Sequence, residues 1–182
     1  MTATFSNPAG SARAAADEYT RALLEVLGDR DPLTVQSELR TAIERAVVGI
    51  PDEKLRMPEM PGKWSIIEVI QHLADTEVVY GYRMRMILAH DTPAIEGYDQ
   101  DAWARELRYR DTQLNDALEQ VRVLRGLNLR LLRGLTPEQW ERYGVHSERG
   151  PESVRRIAEL VAAHDLVHRR QIERIKNAVG AG

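Results

Sequence analysis

The chain alternates stretches of helical periodicity with short breaks, and most breaks carry glycine or proline. Residues 11–28 are alanine-rich and helical in pattern, and Gly28 stops them. "DRDPLTVQSELRTAIERAVVGI" starts again, with Asp31 placed as N-cap and Pro32 at the first helical position. Leu33, Leu39, Ile43, Ala46 and Val47 give that segment an apolar stripe, and Pro51 closes it. "RMPEMPGK" holds two prolines and a glycine, which predicts a loop.

"WSIIEVIQHLADTEVVYGYRMRMILAH" follows. Ser65 and Glu68 have the spacing of a capping box, so the next helix is expected to start at Ser65 and run to about residue 90. Apolar residues at 66, 69, 70, 73, 80, 84 and 87 keep its helical spacing. After the loop "DTPAIEGYDQ", the stretch "DAWARELRYRDTQLNDALEQVRVLRGLNLRLLRGL" predicts one long helix, weakened locally by Gly126. "TPEQW" is a short helical turn capped by Thr136, with Pro137 at its first position. "ERYGVHSERGPES" is a connecting loop, and a last helix runs from about Val154 to Asn177. No stretch alternates over several residues with β-branched enrichment, so no strand is predicted. The expected fold class is all-α, an antiparallel four-helix bundle with additional short helices. Residues 1–10 are expected to be a disordered or frayed lead-in and residues 11–182 a single domain.

The totals narrow the function. At 182 residues the chain suits one domain with a sizeable core. A net charge of −3 lacks the strongly basic footprint of a nucleic-acid binder. The arginines of "YRMRM" and "HRRQIERIK" have acids nearby and read as solvated helix faces. There is no cysteine, which removes disulfides, thiolate metal sites and cysteine nucleophiles together. Any metal site must therefore use His, Asp, Glu or water. No apolar run approaches the ~18 residues needed to span a bilayer. The first residues lack the basic start and apolar core of a signal peptide, so the expected location is the cytoplasm, without a membrane partner.

The candidate chemistry lies in "LVAAHDLVHRRQIERI". His164 falls three residues after Val161, His168 four after His164, and Ile172 four after His168, so both histidines lie on the core-facing stripe of the last helix. At this spacing their imidazoles can converge on one ion. His72, beside the core stripe of the capping-box helix, supplies a third ligand if the two helices are neighbours. Three protein ligands with open positions is the pattern of a catalytic metal site. The competing reading is a set of buried, hydrogen-bonded core histidines. Three imidazoles accept zinc, nickel, iron or copper.

His90 and His146 lie at helix ends or in loops and read as solvated or capping, with His146 able to line the mouth of a pocket. Glu68, Asp75 and Asp165 are the acids placed to orient a histidine or to act as general base. Arg83, about three turns after His72 on nearly the same face, reads either as one half of an ordinary ion pair or as a contact for an anionic substrate group. The loops 91–101 and 143–151 set the pocket shape, with Tyr98, Trp103 and Tyr143 as candidate lining residues.

"PGKWSIIEVIQHLADTE" followed far downstream by "AAHDLVHRRQIERI" resembles the DinB-like (DinB/YfiT-like) family, and the resemblance runs from about residue 17 to 177. "GDRDPL", "YDQDAW", "LRGLTPEQW" and "HSERGPES" fall in the expected order. The resemblance implies an up-down-down-up four-helix bundle. It also implies a divalent metal, often nickel or zinc, held by His72, His164 and His168, and a homodimer. Characterised members include transferases that use bacillithiol or mycothiol and a mycothiol-dependent isomerase; others are called metal-dependent hydrolases. The expected function is a thiol-dependent S-transferase or hydrolase of a small molecule, with any thiol coming from a cosubstrate. The alternatives are a non-catalytic metal- or ligand-binding bundle, stress-related in view of the family name, and a structural bundle with core histidines.

Overall fold

The computed structural model describes residues 13–181, with side chains from residue 18 onward; the lead-in at 1–10 lies outside the described residues. Four long helices form the bundle: α2 (Pro32–Val47), α4 (Ile66–Ala89), α6 (Leu114–Arg133) and α8 (Val154–Ala178), while α1 (Arg13–Leu27) packs along α8. Short helices α3 (Asp52–Leu55), α5 (Gln100–Glu106) and α7 (Pro137–Glu141) sit in the connections.

The caps stand where the sequence puts them. Asp31 accepts the backbone N–H of Thr34 at 2.7 Å, with Pro32 opening α2. Thr136 caps α7 and Ser153 caps α8. The stripes also fall inside: Leu39, Ile43, Ile66, Ile70, Leu73, Ile172 and Ile175 form one core cluster, and Met84, Ile87, Leu132, Val154 and Ile157 another.

These contacts fix the helix directions. The N-terminal half of α4 shares its cluster with the end of α8, and its C-terminal half with the start of α8, so the two run antiparallel. Gln71 meets Gln120 and Arg85 meets Asn128, so α4 and α6 run parallel. Gln36 donates to the carbonyl of Ala158 and accepts from Arg125 through its own carbonyl, which places α2 against both α8 and α6. The order up-down-down-up follows. The parallel pair α4 and α6 requires a long crossover, which residues 90–113 supply; residues 134–153 form a second crossover, which joins the antiparallel α6 and α8.

Both crossovers depart from the sequence expectation. The single helix expected over 101–135 is broken: α5 ends at Glu106, Arg108 turns left-handed at φ 55°, and a 3-10 turn at Tyr109–Asp111 precedes α6. Nothing in "RELRYRD" disfavours helix. The break is held by Tyr109, 1% exposed, whose hydroxyl donates to Asp75 Oδ2 at 2.7 Å. Gly126, by contrast, is exposed and α6 passes through it unbroken.

The expectation of no strands is corrected too. β1 (Ala94–Ile95), β2 (Tyr143–His146) and β3 (Gly150–Ser153) form a small sheet in the order β1-β2-β3, parallel then antiparallel. In β2 the inward residues are Gly144 and His146 while Tyr143 and Val145 face out, so hydrophobicity alone does not show the alternation. Gly144 is required there: a Cβ would stand 2.7 Å from Ile95 Cδ1 and 2.8 Å from the carbonyl of Pro93.

Gly81 faces Asn128 of α6 at close range. A Cβ there would meet Asn128 Oδ1 at 2.7 Å, and Asn128 is held by Glu77 and Arg85. Gly81→Ala gains about 1 kcal/mol of helix propensity against an overpacking cost of about 1–3 kcal/mol. A net loss of stability of about 1 kcal/mol is expected in urea melts.

Candidate metal centre

His72 enters from α4 and His164 and His168 from α8, at the antiparallel contact of the two helices. The Nε2 atom of His164 lies 3.0 Å from His72 Nε2 and 3.0 Å from His168 Nε2. One donor atom from each ring lies within 4.8 Å of the others. His72 and His164 are buried, His168 is half-buried, and the Trp64 ring sits 4.9 Å from that of His72.

Ordinary hydrogen bonding does not account for this cluster. A neutral imidazole has one donor and one acceptor. His168 Nδ1 lies 2.7 Å from Gln171 Oε1, so its proton sits there and its Nε2 offers a lone pair. His72 Nδ1 and His164 Nδ1 are buried without partners. A single Nε2 proton on His164 cannot satisfy both neighbours while two buried nitrogens stay unmet. With every proton on Nδ1, three lone pairs converge, which is a donor set for a divalent ion. Burial pushes His72 and His164 well below the ordinary imidazole value and His168 down to about 4, so the rings are neutral and ready to ligate.

The acids singled out in the sequence are engaged elsewhere. Glu68 accepts the backbone N–H of Ser65 at 2.8 Å and its hydroxyl at 2.6 Å, so it caps α4. Asp75 accepts from Tyr109, Gln71 and Gln120. Asp165 is fully buried against Arg125, which also pairs with Glu77 at 2.6 Å. Loss of water raises the Asp165 carboxyl to about 6 despite Arg125.

Arg83 does line a cavity with His164. This cavity, about 30 Å³, is walled by Tyr80 and Arg83 of α4, Tyr98 of the first crossover, and His146, Glu148 and Arg149 of the second. Tyr98 therefore lines it as expected, with the Trp103 ring packed 4.8 Å away, while Tyr143 faces outward. His90 is exposed at the end of α4. His146 lines the cavity, which the pocket reading allowed, but the solvated reading is corrected: it is 1% exposed. Glu148 and Arg149 were missed because they stand in a segment whose hairpin the hydrophobic pattern hides.

A fold of this kind, with three imidazoles converging from two of its helices, defines a helical bundle whose core carries a donor set able to hold a metal ion. The family model described as the DinB superfamily matches residues 37–172, and the chain belongs to that family. It is 30% identical over 116 residues to the Bacillus subtilis (strain 168) protein named "Putative metal-dependent hydrolase YfiT", covering 64% of this chain and 65% of that one. A Geobacillus thermodenitrificans protein of similar name is 32% identical over 108 residues, covering 58% and 59%. The matches thus span less than two thirds of these curated relatives' length. The solved structure of YfiT from Bacillus subtilis, described as having "an unusual four-helix bundle topology", superposes with a TM-score of 0.76 at 25% identity over 91% of this chain and 90% of that one. No helix among the described residues is long and apolar enough to cross a membrane.

Proposed function

We propose that this protein is a divalent-metal-dependent enzyme acting on a small molecule, as a hydrolase or as a transferase of a low-molecular-weight thiol. The observation that supports it is the convergence of three imidazole Nε2 atoms beside a cavity that reaches His164. Zinc or nickel held by His72, His164 and His168 would supply Lewis-acid chemistry and lower the pKa of a water or a thiol. Gln171 fixes the tautomer of His168. Glu148, the one acid among the described cavity-lining residues, is placed to accept the proton from the attacking group. Glu68, Asp75 and Asp165 hold the scaffold around the site. With no cysteine in the chain, the thiol of the transfer reaction is a cosubstrate. A homodimer in the cytoplasm completes this reading.

The test pairs metal content with turnover. Protein purified without a nickel column is assayed on an activated ester, and on an electrophile with several low-molecular-weight thiols. About one metal per chain is expected, with metal-dependent turnover lost in His72→Ala. Glu148→Gln should keep the metal and lower kcat by about 100-fold or more. Absence of metal after incubation with zinc or nickel would overturn the reading. Metal without turnover across a broad substrate panel would favour a non-catalytic binding bundle.

A further inference from the structure

The cavity beside His164 holds a donor with nothing to donate to. His146 Nδ1 accepts the backbone N–H of Glu148 at 3.1 Å, so the proton of the neutral ring sits on Nε2. Burial is the main cause that keeps this ring neutral, with Arg149 adding to it. The side chain is 1% exposed, lines the cavity, and its Nε2 has no partner. A buried donor left unmet is costly, and each such group calls for an explanation.

Arg83 stands in the same wall. It is 5% exposed, donates to the carbonyl of Glu96, and lies over the rings of Tyr80 at 5.3 Å and Tyr98 at 6.0 Å. The other two buried or half-buried arginines of this region are paired: Arg125 with Glu77 and Asp165, and Arg149 with Glu152. Arg83 has no carboxylate at ion-pair distance among the described residues. A cation held out of water without a counter-ion, beside an unmet N–H, is a receptor for negative oxygen. Glu148 is the one lining group of opposite sign, and it is half-buried.

We infer that His146 and Arg83 form a subsite for a carboxylate carried by the substrate, next to the metal centre. The cavity is small and reaches His164, so the substrate class is carboxylic acids whose reacting bond lies a few atoms from the carboxylate. This inference takes its catalytic meaning from the metal-dependent reading, but the subsite itself is testable without metal.

The probe is formate, titrated into metal-free protein labelled with ¹⁵N-histidine and followed at the His146 Nε2 resonance. A saturable shift is expected. His146→Phe should weaken formate binding about tenfold or more, while His146→Gln, which keeps an N–H near the same place, should retain most of it. No saturable shift in folded wild type, or equal binding by His146→Phe, would overturn the inference; if the Phe variant does not fold, the wild-type titration decides alone. Zinc uptake is measured on the same preparations. A protein that takes zinc but ignores formate sinks the subsite alone, whereas one that binds formate and refuses zinc sinks the metal centre alone.

Discussion

Arg125→Met is expected to lower the unfolding free energy by about 3–5 kcal/mol. Arg125 is 4% exposed and lies between two carboxylates, Glu77 at 3% and Asp165 at 0%. It meets Asp165 through both terminal nitrogens, at 2.5 and 3.0 Å, and Glu77 at 2.6 Å. Removing the cation leaves two acids buried in like charge, and neither can reach water without opening the bundle. The loss is therefore the cost of stranding two carboxylates rather than the net worth of the cluster. The expectation is checked by chemical denaturation, with Arg125→Met/Asp165→Asn/Glu77→Gln as control. That triple variant keeps the shape and removes both stranded charges, so it should recover much of the loss. If Arg125→Met alone proves as stable as wild type, the cluster is not buried as described.

Zinc should stabilise the folded chain strongly, and His164→Ala should abolish the response. A ligand that binds only the native state contributes about 4 kcal/mol at a thousandfold excess over its dissociation constant. His164 is the ring to remove because its Nε2 is 3.0 Å from both other donors. Losing it leaves His72 and His168 on different helices without the shared centre. Thermal unfolding with and without zinc, after chelator treatment, reads the effect directly. Equal shifts in wild type and His164→Ala would place the ion elsewhere and leave the histidines as core residues.

Much of the scaffold can be read locally. Asp31, Ser65, Thr136 and Ser153 begin helices because a short polar side chain followed by a periodic apolar run is a local signal. The i, i+4 spacing of His164 and His168 puts both on one face for the same reason. Arg83 falls on that reading as well, because its offset from His72 is a matter of helical phase. The acids are different. Glu68 is claimed locally by the capping box at Ser65. Asp75 and Asp165 have the right spacing from a histidine, yet spacing along a helix does not say what the facing elements offer: Tyr109 takes Asp75 and Arg125 takes Asp165.

The sequence by itself determined the helices, their caps and the face that carries His164 and His168, because capping and 3.6-residue periodicity depend on neighbours within a few positions. Only the tertiary structure decided that Tyr109 breaks an otherwise helical run and that the hairpin at 143–153 lines the cavity beside His164. It alone turned His146 from a loop residue into a buried donor. The reason is that these outcomes rest on pairings between residues 34 to 52 positions apart along the chain, such as Tyr109 with Asp75 and Arg142 with His90. Local propensity carries no record of such partners, and the burial of Tyr109 and His146 outweighs it.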